Sequence, residues 1–137
     1  METKFESRIG KIAASEEKMY NFLTDFNNFK QFIPPDKVTD FQSDTDHCKF
    51  SISGVGQVGL QIVEKTPYNT VKISGDALAN QNFLFWIQLK EVSDADTRVK
   101  LTIKADINPM VKLMVSKPMQ TFLDKLIDAF EKMQFTA

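Results

Sequence analysis

The sequence has few residues for metal or nucleophilic chemistry. Its 137 residues include one histidine, His47, and one cysteine, Cys48. Both lie at the start of a predicted strand, where adjacent side chains point to opposite faces, so they are badly placed to form a base–thiolate pair or to bind one metal. We expect a solvent-side His47 and a small buried Cys48 thiol. We therefore predict no metal site, no cofactor and no catalytic residue.

The sequence also lacks a long apolar run and an excess of charge. No apolar stretch approaches the roughly eighteen residues of a membrane span, and the N-terminal stretch is charged throughout, unlike a secretory signal. Seventeen Lys and Arg residues against eighteen Asp and Glu residues leave a net charge of -1. No bulk positive potential is present to attract nucleic acid. We expect a cytoplasmic protein with no membrane span and no nucleic-acid partner.

The composition is that of one folded domain. Hydrophobic residues make up 42% of the chain and charged residues 26%, which are ordinary values for a globular protein. A chain of this length buries roughly two thirds of its unfolded surface, so a sizeable core needs no disulfide or metal. We predict a single domain over residues 1–137.

Alternation of apolar and polar residues predicts seven strands, with two short helices after the first. In the first strand, Phe5, Ser7 and Ile9 are expected on one face. Ser15 is a predicted N-cap for a helix that ends near Asp25, and one or two further helical turns follow. The later strands have one apolar face and one polar face, as in a sheet covered on one side. The strands are expected near residues 3–12, 37–43, 47–53, 56–64, 69–75, 82–91 and 97–107.

A long helix follows the last strand. Asn108 and Pro109 are a suitable N-cap and first helical residue, and apolar residues continue at helical spacing to Met133. Pro118 cannot donate a hydrogen bond to the carbonyl of Met114, so we predict a kink between these two residues. A one-sided helix after a one-sided sheet is expected to cover the apolar face, with a core or a pocket between them.

Two segments resemble one superfamily. They are residues 12–25, at the first helix, and Leu101 through Met114, with the Asn108–Pro109–Met110 turn. They are similar to START-like (SRPBCC) proteins, relatives of the birch pollen allergen, and in particular to the polyketide cyclase, dehydrase and lipid-transport group. The resemblance covers essentially the whole chain. It implies an α+β helix-grip fold, in which a curved seven-stranded antiparallel sheet wraps around a long C-terminal helix and encloses a cavity.

The first functional hypothesis is a non-catalytic carrier of a hydrophobic or amphipathic, lipid-like molecule. Methionines on the helix that closes the cavity would suit a loosely selective site, although a stripe at helical spacing is also typical of plain core. The predicted cavity walls are Phe50, Ile52, Leu60, Ile73, Phe85, Ile87, Leu101, Met110, Met114 and Leu123.

Two other hypotheses use the same fold. One is an enzyme of the polyketide cyclase, aromatase or dehydratase kind, for which Ser7, Tyr20, Tyr68 and Asn82 are the polar candidates. The other is a protein-interaction module, possible as a homodimer through Leu84 and Trp86. These two residues alternate with the apolar ones of their strand, so either a bulge turns Trp86 inward or it forms an exposed apolar patch.

Overall fold

The computed structural model describes residues 2–31, 36, 38–53, 56–77 and 81–132, without the side chains of residues 77 and 81. Eight strands lie within these residues: β1 Glu2–Glu6, β2 Gly10–Ile12, β3 Val38–Ser43, β4 His47–Ile52, β5 Gly56–Thr66, β6 Thr70–Ala77, β7 Gln81–Ser93 and β8 Asp96–Asp106. They form one curved antiparallel sheet in the order β1-β8-β7-β6-β5-β4-β3, and β2 also pairs with β8. The antiparallel sheet predicted from the sequence is confirmed.

Within the described residues, three helical segments accompany the sheet, and the N-caps of the two α-helices are those predicted. Helix α1, Glu16–Leu23, begins where Ser15 Oγ accepts a hydrogen bond from the backbone N–H of Lys18 at 3.2 Å. A short 3-10 helix covers Phe26–Gln31. Helix α2, Pro109–Lys132, begins where Asn108 Oδ1 accepts from the N–H of Val111 at 2.9 Å. Its predicted end, Met133, lies outside the described residues.

The first predicted strand is interrupted at Ser7. The backbone N–H of Ser7 donates to the carbonyl of Leu101, and the N–H of Leu101 donates to Ser7 Oγ, both at 2.9 Å. A side-chain hydroxyl thus replaces a backbone acceptor, and the alternation changes phase before β2. Ile12 is buried, but Ile9, predicted on the apolar face, is 63% exposed. The prediction for Ile9 is wrong because a change of phase turns every later side chain to the other face.

The apolar stripe of α2 is narrower than predicted. Met110, Leu113 and Met114 were expected to face the sheet, but they are 72%, 83% and 65% exposed. The buried residues of the helix are Val115 and five residues between Phe122 and Phe130. The same helical face passes through Val111 and Met119, which are half-buried. The three exposed side chains lie off that stripe, so their assignment to it is wrong.

A closed core lies between the second half of α2, helix α1 and one end of the sheet. Gly10 allows β2 to approach α2, because a Cβ there would lie 2.7 Å from Ile127 Cγ2 and 3.1 Å from Val99 Cγ1. The largest fully buried side chains are Ile12, Met19, Leu23, Phe26, Val71, Ile73, Ile87, Leu101, Leu123, Leu126, Ile127 and Phe130.

Ionic contacts hold the second half of α2 to the β1–β2 connection. Arg8 Nη2 donates to Asp128 Oδ1 and, at 2.6 Å, to Glu131 Oε1, while the backbone N–H of Lys11 donates to Glu131 Oε2 at 2.9 Å. The hydrogen bond from Arg8 holds the pKa of Glu131 below its usual value. This end of the helix is therefore fixed to the sheet edge, whereas the three exposed apolar residues lie at its other end.

Candidate functional site

A cavity lies between the sheet and the middle of α2. Its volume is about 60 Å³. Side chains from β1, β4, β5, β7 and β8 form one wall, and Val115, Met119 and Phe122 of α2 form the opposite wall. The lining residues are Phe5, Phe50, Ile52, Val58, Leu60, Phe83, Phe85, Ile103, Ala105, Ile107, Val115, Met119 and Phe122.

Every lining residue in the described part of the chain is apolar, which determines what the cavity can hold. A buried water needs roughly 10–15 Å³ of cavity volume, so this space has room for several waters or for one small apolar group. Apolar cavities stay dry, and one of about 150 Å³ binds benzene. Phe83, Ala105 and Met119 are only half-buried, so the cavity comes closest to solvent beside them.

Small residues in one cross-strand row create the space. In register, Leu60 pairs with Gly75, Gly75 with Phe83, and Phe83 with Ala105. Gly75 and Ala105 contribute almost no side-chain volume to the apolar face. The adjacent row on that face consists of large side chains: Ile62, Ile73, Phe85, Ile103 and Phe5.

Stacked aromatic rings connect α2 to the far side of the sheet. The rings of Phe50 and Phe122 lie 6.1 Å apart at 26°, and those of Phe41 and Phe50 lie 5.8 Å apart at 27°. Offset aromatic pairs at such distances stabilise by about 0.5–1.5 kcal/mol beyond the area that they bury. They hold the middle of α2 above β4 at the cavity wall.

The ten predicted wall residues fall into three groups. Four line the cavity: Phe50, Ile52, Leu60 and Phe85. Four are fully buried in the core but do not line the cavity: Ile73, Ile87, Leu101 and Leu123. The last two, Met110 and Met114, are exposed on α2 and lie outside the cavity lining, because the buried stripe of the helix passes on another side.

Sequence reasoning omitted the lining residues that depend on register. Phe83, Ile103 and Ala105 belong to the same alternation that selected Phe85, so the signal for the apolar face was present. Strand pairing brings Ala105 beside Phe83 and Ile103 beside Phe85. That pairing is not visible in either strand alone.

None of the four polar candidates is a lining residue. Ser7 Oγ donates to the carbonyl of Arg8 at 2.7 Å, so this hydroxyl belongs to the strand interruption. Tyr20 and Tyr68 make an edge-to-face contact with centroids 5.6 Å apart, and Asn82 is exposed. The described residues therefore place none of these groups on the cavity wall.

Thr3 is the buried polar residue nearest in register to this wall. It pairs with Ala105 across β1 and β8 and is 4% exposed. Its Oγ1 has no hydrogen-bond partner among the described residues. A buried hydroxyl without a partner costs about 1–3 kcal/mol, so this position is a local weakness of the fold.

His47 and Cys48 are not among the lining residues, and they lie on opposite faces of β4. His47 is exposed, and its Nδ1 lies 3.3 Å from Asp44 Oδ1. Cys48 is buried, and burial raises the pKa of its thiol to about 12. Within the described ranges, no group of three or more His, Cys, Asp or Glu residues is arranged to hold a metal ion.

Trp86 lies on the outer face of the sheet. The β6–β7 register runs without a shift through its pairing with Lys72, so the alternative of a bulge that turns it inward is wrong. The ammonium groups of Lys72 and Lys104 lie 5.9 Å and 5.7 Å from the centre of its ring. Trp86 and its neighbour Leu84 are half-buried. The lysines therefore flank the indole on this face.

Comparison with known proteins identifies a family and a fold. The family model for CoxG, which is one of the subunits of carbon monoxide dehydrogenase, matches residues 10–134. No curated protein matches the sequence.

In the described part of the chain, no helix is long and apolar enough to cross a membrane.

Solved structures with this fold come from several organisms. Norcoclaurine synthase from Thalictrum flavum, in complex with dopamine and hydroxybenzaldehyde, has a TM-score of 0.71 at 12% identity, over 96% of this chain and 86% of that one. A conserved protein from Geobacillus kaustophilus has a TM-score of 0.68 at 14% identity, over 96% and 93%. A START superfamily protein from Mycobacterium smegmatis has a TM-score of 0.62 at 13% identity, over 95% and 94%. These similarities confirm the START-like helix-grip fold.

Proposed function

We propose that this chain, which belongs to the CoxG family, binds or carries a hydrophobic or amphipathic small molecule between the sheet and α2. The observation that carries this proposal is a cavity whose lining, as far as the chain is described, consists of apolar residues. Ligand sites are typically preformed, concave and mostly apolar. The START-like fold supplies such a cavity but does not fix its ligand, since one fold serves many functions.

The size of the cavity limits the part of the ligand that it can enclose. A volume of about 60 Å³ accommodates a small apolar group, up to about one aromatic ring or a short hydrocarbon segment. A larger ligand would place such an end inside and leave the rest beside Phe83, Ala105 and Met119, where the lining residues are half-buried.

The lining chemistry favours a carrier over an enzyme. Proton transfer requires an acid or base within hydrogen-bond reach of the reacting atom. Among the described residues, no titratable side chain lines the cavity, and the hydroxyl of Ser7, a buried polar candidate, is bonded to Arg8 and Leu101. A cyclase, aromatase or dehydratase would need polar groups that converge on the ligand.

The binding proposal can be tested by filling the cavity. Ala105→Leu adds apolar volume to the lining, and Ala13→Leu makes the same change at an exposed position. Native mass spectrometry of purified protein and NMR titration with benzene, indole and butyrate should detect an apolar ligand in the wild type and in Ala13→Leu. Ala105→Leu should lose it while remaining folded. Absence of co-purified and saturable ligands in the wild type would contradict the proposal.

A homodimer through Leu84 and Trp86 is a second proposal, favoured by the outward position of two half-buried apolar side chains. Its weakness is electrostatic. A two-fold contact centred on Trp86 would bring Lys72 and Lys104 close to their own copies, and like charges facing each other oppose association. Light scattering tests it, because Trp86→Ala should convert a dimer to a monomer, and a monomeric wild type would exclude it.

A further inference from the structure

The ring of Phe83 lies across the backbone of Gly75 on the adjacent strand. The two residues are directly paired between β6 and β7. A Cβ on Gly75 would lie 2.3 Å from Phe83 Cζ and 2.6 Å from Phe83 Cε2. Such distances are far inside van der Waals contact, so no other residue leaves space for the ring in this position. Aromatic rings placed over strand glycines are a recurrent way to cover bare backbone.

This contact determines where the volume of Phe83 lies. The far end of the ring is above Gly75, so the ring lies along the sheet rather than standing out from it toward α2. Phe83 is nevertheless a lining residue, together with Leu60 and Ala105 of the same cross-strand row. The position of this one ring therefore affects the space between the sheet and the helix.

We propose that Gly75 and Phe83 together determine the size of the apolar ligand that the cavity accepts. Gly75 keeps the cavity open, because it gives the Phe83 ring a place on the sheet. Phe83 then limits the enclosed part of the ligand to about one aromatic ring or a short hydrocarbon segment. This inference rests on the proposed binding function and adds the size class of the ligand and the residues that set it.

Packing determines what happens when either residue changes. With a Cβ at position 75, the ring has to leave the sheet, because protein interiors tolerate little overlap. The adjacent empty space is the cavity, and an apolar ring is more stable in an apolar space than in water. The ring should therefore enter the cavity and close it. Removal of the ring instead adds its volume to the cavity.

Three variants separate these effects: Gly75→Ala, Phe83→Ala and the double variant. Binding of benzene and naphthalene is measured by NMR titration, and folding is measured by circular dichroism and thermal unfolding. The wild type should prefer benzene, and Gly75→Ala should weaken benzene binding by at least about tenfold, because even one methylene in an apolar pocket is worth that much and the ring takes more space. Phe83→Ala should shift the preference toward naphthalene by about tenfold.

The double variant distinguishes closure from a general defect. If the Gly75→Ala effect arises from the clash with the ring, the double variant should fold and bind like Phe83→Ala. If the defect at position 75 persists without the ring, the inference is overturned. It is also overturned if Gly75→Ala binds benzene as tightly as the wild type, and in that case the carrier proposal stands. If the wild type binds no apolar probe, the proposed function fails and this inference fails with it.

Discussion

At the scale of single residues, burial has a larger effect than chemical type on what a side chain can do. Cys48 carries a nucleophilic thiol, but it is only 6% exposed, on the apolar face of the sheet. Its pKa is raised to about 12, first by burial and then by the charge of Asp44. Reactive cysteines require a lowered pKa and access to solvent. Cys48 has neither, so it acts as a small apolar residue of the core.

Cys48 should therefore resist alkylation in the native protein. At pH 8 we expect iodoacetamide to label native Cys48 far more slowly than the unfolded chain, because the thiolate is disfavoured and buried. Since the folded pKa lies above the usual value of 9.0, the thiol contributes stability that is fully present below about pH 9 and is lost as the pH rises toward 12. Mass spectrometry with and without urea measures the labelling, and equal rates would contradict the prediction.

At the scale of elements, the two halves of α2 differ in their contacts. Its second half packs on the closed core and is fixed through Arg8 to Asp128 and Glu131. Its first half has exposed apolar residues, including Met110 and Leu113. The helix continues through Pro118 as one element. A kink at this residue stays a prediction. The cavity lies beneath the middle of the helix, beside the closed core.

Close approach of β2 to α2 at Gly10 leads to a stability prediction. Gly10→Ala places a Cβ 2.7 Å from Ile127 and 3.1 Å from Val99, and overpacking of this kind costs about 1–3 kcal/mol. Gly59→Ala is a matched control, because its Cβ would meet only the carboxyl group of Asp76 on an exposed side chain. Urea unfolding should therefore show a clearly larger loss of stability for Gly10→Ala. Equal losses would mean that helix and strand adapt to the extra methyl group.

At the scale of the whole molecule, the sheet and α2 enclose a closed core and a small cavity side by side. The core is sealed by α1 and the second half of α2, whereas the cavity lies where Gly75 and Ala105 leave a row of the sheet short of volume. The closed core thus stabilises one end of the sheet, and the proposed ligand would bind at the other. Its cytoplasmic location and its extent as one domain over residues 1–137 stay predictions.

Ligand binding should stabilise the folded molecule as a whole. A ligand that binds only the folded state stabilises it by about 2.7 kcal/mol at a concentration one hundred times its Kd. Benzene should therefore raise the unfolding free energy of the wild type, measured by urea denaturation, and the increase should follow the occupancy measured by NMR. Ala105→Leu, which fills the cavity, should show no increase. An equal increase in both proteins would indicate a binding site elsewhere.

The sequence by itself determined most of the strands, the starts of both α-helices and the fold. Alternation fixed the strands, Ser15 and Asn108 fixed the helix starts, and the resemblance to START-like proteins supplied the helix-grip arrangement. Two predictions were wrong because a sequence pattern was extended beyond the residues that follow it. The phase of the first strand changes after Ser7, so Ile9 is exposed, and the helical stripe was drawn too wide at Met110 and its neighbours.

Only the tertiary structure decided where the cavity is. Phe50 and Phe85 line it, whereas Ile73 and Leu101, which have the same alternation and the same apolar character, belong to the closed core. The difference depends on cross-strand register and on how α2 crosses the sheet, and both bring together residues that are distant in sequence. Alternation identifies the buried face of a strand, but only the volumes of all neighbours across that face determine whether a space is filled or empty.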